Sequence, residues 1–245
     1  MYEIGCLYSI IFRKEATILD FYNHHLWPIT IGGYEFWITT TIRNTWIIMG
    51  VLILFAIIIR WSISKFENIP KGFQNIVEAI VEIFYNFTTS TMGEKNKGFA
   101  PYYGTIFLFI LFSNLSGLFG LRAPTADLAT TLGLALITFF MVQYFGIRSK
   151  GIKGYMKGFF DPVPVFFPIN LIGEIANPIS LSFRLFGNIL AGTMIMTLYY
   201  SIPFWPVKIV IPVALHGYFD VFSGVLQTFI FVMLSMTFVS GAIEE

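Results

Sequence analysis

Cysteine is almost absent from this chain. The 245 residues contain one, Cys6, so no intrachain disulfide can form. Histidine is nearly as scarce, with three, and no Cys/His group has metal-ligand spacing. Neither a metal nor a cofactor is therefore expected. Charged residues make up only 12%, against about 25% in a soluble domain. The net charge of +1 offers nucleic acid no basic surface. No Walker-type Gly-Lys-Ser/Thr loop and no HExxH pair occurs, which argues against phosphate-loop chemistry and zinc hydrolysis. Arg13 and Lys14 follow the first apolar stretch instead of preceding it, so a cleaved signal peptide is not expected.

Hydrophobic residues fill the space. They reach 56%, including 28 Phe, 12 Tyr and 5 Trp, and the mean hydropathy is +0.73. The solvent for such a chain is lipid. Stretches of about 20 apolar residues mark spans, at residues 37–60, 99–121 and 128–147, then at the longer 165–200 and 207–242. The last two would be roughly 54 Å long as straight helices, against a hydrocarbon core of about 30 Å. They must tilt or bend, and Pro178 and Pro212 would permit bending. Residues 71–91 place Phe73, Ile76, Val77, Ile80, Ile83, Phe84 and Phe87 at three- and four-residue steps, with Gln74, Asn75, Glu78 and Glu82 between them. That pattern predicts an amphipathic helix on the membrane surface. The fold class is all-α. It is a polytopic membrane domain over residues 36–245, with about five embedded helices and one interfacial helix. The last two helices are long, strongly tilted and form a hairpin, and residues 1–35 form a separate N-terminal segment.

Orientation follows from Lys and Arg. Arg60, Lys65, Lys71, Lys95, Lys97, Arg148, Lys150, Lys153 and Lys157 share one side if every span crosses once. Arg13, Lys14, Arg122 and Lys208 lie opposite, with Arg43 near them. The richer side is cytoplasmic by the positive-inside rule. The N-terminus and residues 1–35 are then outside, and the C-terminus is cytoplasmic.

Polar residues inside the spans carry the functional argument, because a central Arg costs roughly 2.5–3.5 kcal/mol on insertion. Arg184 lies near the middle of the fourth span. On a helix of about 100° per residue, Asn170, Glu174, Asn177, Arg184 and Asn188 fall in a stripe of about 80°. In the fifth span His216, Asp220, Ser223 and Gln227 fall within about 60° of each other. Two such stripes on consecutive long helices predict a hairpin with facing polar surfaces. Singly, Asn188, Asn177 and Gln227 read as interhelical hydrogen-bond partners, and Arg184 as a member of an ion pair with Asp220. Glu174 lies about 15 Å from Arg184 along a straight helix, too far to pair with it. As a set, the two stripes read as an ion pathway. A stand-alone secondary transporter is the alternative, although no internal repeat is visible. An intramembrane hydrolase is disfavoured, because His216 and Ser223 are about 10.5 Å apart in axial rise.

With these residues in view, the chain resembles subunit a of the F-type ATP synthases. The resemblance covers roughly residues 35–243. It is strongest over residues 168–192, PINLIGEIANPISLSFRLFGNILAG, which contain the family's Arg-Leu-Phe-Gly-Asn signature at Arg184–Asn188. Residues 124–127 (PTAD), 114–118 (NLSGL), 227–231 (QTFIF) and 70–74 (PKGFQ) are weaker matches.

The resemblance implies a non-catalytic stator subunit, not an enzyme on its own, in an energy-coupling membrane such as a bacterial plasma membrane. Its partners would be the c-ring and the peripheral-stalk b subunits. Two aqueous half-channels would deliver protons, or sodium ions, to and from the ring carboxylates. Arg184 would face those carboxylates and stop ions short-circuiting between the half-channels, with Gln227 orienting it. Asn188, Glu174, Asn177, Asp220, Ser223 and His216 would line the paths, with Asn114, Asp127, Asn170 and Thr193 as secondary candidates. Two positions depart from the family pattern. Thr193 stands where many relatives carry an acid or histidine, and Asp220 reads as supplying that carboxylate instead. Ala129 stands where the family commonly has Asn.

Overall fold

The structure, a computed structural model, describes residues 25–31, 34–63, 72–160, 163–200 and 207–244. Cys6, Arg13, Lys14, Lys65, Lys71, the Pro203/Pro206 break and most of the segment 1–35 lie outside the described residues. Strands β1 (His25–Ile31) and β2 (Tyr34–Thr39) pair antiparallel, with a bulge between His25 and Trp27. Helix α1 (Thr40–Ile63) follows, then α2 (Phe73–Met92), α3 (Ala100–Leu115), α4 (Leu128–Gly158) and α5 (Phe167–Tyr200). The chain ends in α6 (Val207–His216) and α7 (Ser223–Glu244), joined by a π-helical turn at Gly217–Phe222. Five helical segments among the described residues are long and apolar enough to cross a membrane: Thr40–Ile63, Glu94–Phe119, Leu128–Gly158, Pro164–Tyr200 and Ile211–Ile243. The protein is an all-α polytopic membrane protein.

Three boundaries differ from those read in the sequence. The first span was placed from residue 37, but Trp37, Ile38 and Thr39 finish β2 and the helix begins at Thr40. Hydropathy cannot separate an apolar strand from an apolar helix, and Tyr34–Thr39 is rich in aromatic and β-branched residues, which suit a strand. The second span ends as an α-helix at Leu115 and tightens into a 3₁₀ turn, Ser116–Phe119. The third continues past residue 147 to Gly158, but in two pieces that meet at Gly151. Gly151 has φ 70 and ψ 162, a left-handed conformation that favours glycine.

That hinge turns the second piece back. Tyr155 and Gln143 would lie about 18 Å apart along a straight helix; here the Tyr155 hydroxyl donates to Gln143 Oε1 at 2.7 Å. Gly146 makes the approach possible: a Cβ there would sit 2.7 Å from the Tyr155 ring.

The core lies among α3, α4, α5 and α7, where Tyr103, Ile110, Ala135, Leu181, Leu185, Phe231, Val232, Met236 and Val239 are buried together with Met92 of α2. Lipid supplies little hydrophobic drive between helices, so close packing and polar contacts hold them. Thr131 and Ser182 pair at 3.1 Å across α4 and α5, and Thr138 and Ser235 at 2.8 Å across α4 and α7. Gly224 brings α7 within 3.2 Å of Asn114 Cβ, measured from the Cβ position a side chain would add. Helix α2 packs against this core through Phe84 on Phe107 and Phe87 on Phe229, while Ile76 and Ile83 stay exposed. Its apolar stripe therefore divides between protein and surroundings. Helix α1 stands apart, burying only Thr41, Asn44 and Ile48. It is pinned at its first turns by Asn44, which donates to the Arg122 carbonyl at 2.9 Å.

Candidate functional site

Arg184 stands midway along α5, whose buried positions Pro178, Leu181, Ser182, Leu185, Ile189, Gly192 and Met196 recur at three- and four-residue steps. Arg184 lies beside that stripe and is exposed. Among the described residues it has no hydrogen-bond or ion-pair partner. The ion pair with Asp220 is therefore not formed within the chain. Asp220 is bonded to His216 instead, Nδ1 to Oδ2 at 2.5 Å.

One turn beyond Arg184, Asn188 Oδ1 accepts from the Ser223 hydroxyl at 2.9 Å, which ties α5 to the start of α7. The Nδ2 of Asn188 and the Nε2 of Gln227 are buried without a partner among the described residues. Unsatisfied buried donors are costly in a membrane interior. These two amides, one of them a single turn from the unpaired Arg184, leave buried hydrogen-bond donors unused.

Toward the N-terminal end of α5, Glu174 and the exposed Asn177 border a narrow cleft of about 20 Å³, with Thr138, Phe139, Val142, Pro178, Leu181 and Phe238 as its other main walls. A space of that size holds about one water molecule. Glu174 Oε1 accepts from Gln143 Nε2 at 2.7 Å. Pro178 has no amide hydrogen, so the Glu174 carbonyl also lacks its usual helical donor. Asn170 belongs to the same end, but its Nδ2 donates to the Phe159 carbonyl at 3.0 Å and closes the turn before α5.

Toward the C-terminal end of α5 lies a larger cavity of about 360 Å³. Its walls include Asn114, Arg122, Thr193, Tyr200, His216 and Asp220. Tyr200 and His216 Nε2 share a hydrogen bond at 2.9 Å, so Tyr200, His216 and Asp220 form a chain along one wall. Gly192 leaves the space open, since its nearest neighbour, Phe219, stands 3.5 Å from an added Cβ. Thr193 and Asp220 both border this one cavity.

The stripe expected on the fifth span needs correction. It assumed a uniform α-helix, whereas Gly217–Phe222 is a π-helical turn. That turn shifts the rotational phase of everything before it relative to everything after it. His216 and Asp220 consequently serve the cavity wall, Ser223 meets Asn188, and Gln227 is buried on α7.

The other three secondary candidates also have structural bonds of their own. Asn114 is buried, donates to the Gly224 carbonyl at 3.0 Å and to Thr228 at 3.1 Å, and accepts from Thr125 at 2.7 Å. It backs the cavity while joining α3 to α7. Asp127 caps α4, accepting from the Ala129 amide at 3.1 Å. Thr193 donates to the Leu190 carbonyl at 2.8 Å.

Sequence reasoning missed four residues. Gln143, Tyr155 and Tyr200 gave no periodic signal, and the Tyr pair at the end of α5 reads as ordinary interfacial aromatics. Arg122 counted only toward orientation, yet it lines the cavity and its Nη1 is buried without a partner among the described residues.

Comparison with known proteins fits this arrangement. The family model described as ATP synthase A chain matches residues 43–240. The chain is 40% identical over 230 residues to the sodium ion specific ATP synthase subunit a of Propionigenium modestum, covering 87% of this chain and 77% of that one. It is 39% identical over 222 residues to ATP synthase subunit a of Moorella thermoacetica, covering 90% and 94%. It is 34% identical over 243 residues to the chloroplastic ATP synthase subunit a of Stigeoclonium helveticum, covering 94% of each.

Proposed function

From the premise that the chain belongs to the ATP synthase A chain family, we propose that it carries ions to and from a rotating ring of c subunits, through two half-channels that meet at Arg184. The observation that carries the reading is the position of Arg184: exposed, without a partner among the described residues, and between two recesses near opposite ends of α5 that are each bordered by one carboxylate. The cleft at Glu174 is the cytoplasmic half-channel and the cavity at Asp220 the outer one, an assignment that follows from the nine basic residues on the cytoplasmic side.

Arg184 keeps its charge at any working pH. Facing the ring, it holds an approaching carboxylate ionised, so that the carboxylate must release its ion before passing. It also repels a cation moving straight from one recess to the other. Each ion crossing 100 mV releases about 2.3 kcal/mol, and that energy turns the ring only if the direct route is closed. A guanidinium only donates, so the amide oxygens of Gln227 and Asn188 are what orient it, and their unused NH₂ groups are left to donate to a ring carboxylate. Peripheral-stalk b subunits complete the stator, and ATP chemistry belongs to other subunits.

The coupling ion is a proton or a sodium ion. The Propionigenium modestum relative is named sodium ion specific, which makes the choice an experimental one. The test is ATP synthesis by the whole complex in reconstituted vesicles, wild type against Arg184→Ala, with proton and sodium gradients imposed separately. An assembled Arg184→Ala complex should lose coupled synthesis, and the gradient that drives wild type names the ion. Normal synthesis by the mutant would make Arg184 a structural residue and overturn the reading.

A further inference from the structure

The hinge at Gly151 brings together three residues that no periodicity connects. Tyr155 donates to Gln143 Oε1 at 2.7 Å, and Gln143 donates through Nε2 to Glu174 Oε1 at 2.7 Å. Both amide atoms of Gln143 are thereby used, and the direction of each bond is set. A carboxylate accepts but does not donate, so the amide must turn its NH₂ toward Glu174 and its oxygen toward the tyrosine. The anchor of the chain is mechanical. The Tyr155 ring rests on Gly146, where an added Cβ would come within 2.7 Å of it, and the left-handed Gly151 returns the helix to that spot. Glu174 is half-buried beside the one-water cleft, and one of its oxygens is held on the Gln143 side. That bond favours one setting of the carboxylate.

We propose that Gln143 and Tyr155 are positioning residues for the cytoplasmic half-channel. They hold the Glu174 carboxylate against the cleft so that it can receive the coupling ion. Neither touches the ring, and neither needs to change charge; they act through Glu174. The inference rests on the reading of Glu174 as a pathway residue and adds what holds it in place.

The test uses the assembled complex in vesicles, pumping ions by ATP hydrolysis so that ions enter from the cytoplasmic face. The half-saturating ion concentration there is read separately from the maximal rate. Gln143→Leu should raise it up to about fivefold, no more than loss of the Glu174 carboxylate itself. Tyr155→Phe keeps the ring on Gly146 and removes only the hydroxyl, so it should raise the value about threefold. Maximal rate should stay near wild type, and so should the half-saturating concentration at the outer face in synthesis. Neither substitution should add to Glu174→Gln. Equal changes at both faces, or full additivity with Glu174→Gln, would overturn the proposal in favour of a general packing role. If Glu174→Gln alone leaves the cytoplasmic value unchanged, Glu174 is not on the path and the underlying reading fails. If it shifts that value while Tyr155→Phe and Gln143→Leu do not, only the positioning role fails.

Discussion

At one end of α5 a carboxylate, Glu174, meets a neutral amide beside a cleft of about 20 Å³. Toward the other end a carboxylate, Asp220, meets a histidine on the wall of a cavity of about 360 Å³ that Arg122 also lines. The two recesses are not copies. The narrow one holds its acid by geometry, through hydrogen bonds that run back to a packed tyrosine. The wide one bonds its acid to a histidine and has an arginine among its lining residues. Loss of the acid should therefore disturb the two ends unequally, and substitutions at each end can break or sharpen that contrast.

The largest effect is expected at Asp220. Asp220→Asn removes the only carboxylate among the described residues lining the wide cavity, and with it the charged partner that His216 bonds. Ion-driven synthesis should fall more than about tenfold, as expected when an ionisable group on the path is lost. A near-normal rate in the assembled mutant would remove Asp220 from the pathway. Next comes the wall behind it. Asn114→Leu deletes three side-chain hydrogen bonds joining α3, α7 and the Thr125 turn, at a cost of about 3 kcal/mol. Thermal unfolding of the solubilised complex should register that loss; an unchanged midpoint would mean that the wall is held by packing.

Glu174→Gln should do less. Its partner is uncharged, so the variant forfeits roughly the charge-assisted part of one hydrogen bond, about 1 kcal/mol or fivefold in rate. If it proved as damaging as Asp220→Asn, the contrast between the two ends would collapse. The smallest effect is expected from Gly192→Ala. The new Cβ meets Phe219 at 3.5 Å, an ordinary contact, and Ala's higher helix propensity favours it, so stability should stay within about 1 kcal/mol of wild type. A strong loss of synthesis there would mean that the cavity has no room to spare.

Much of this architecture was legible before any coordinates. Hydropathy located five spans because lipid admits few other sequences. Arg184 stood out because a central cation needs a reason to be there. On the fourth span the rotational rule applies, because α5 is one continuous helix. The stripe on the fifth was not, because a π-helical turn breaks the rotational rule used to draw it. Asn114 carried the same signal as a pathway residue, since an asparagine in a span looks alike whether it binds a neighbour or water.

The amino-acid sequence by itself determined the solvent, the spans, the single central charge and the family. Each of these depends on composition along a local window or on a contiguous motif. Tertiary structure alone decided which polar groups are occupied by neighbours and which face open space. It decided that Thr193 and Asp220 share one cavity, and that Tyr155 returns to Gln143 and Glu174. Those outcomes depend on helix phase, on one left-handed glycine and on contacts between residues 12 to 114 positions apart. Local periodicity carries no information at such distances.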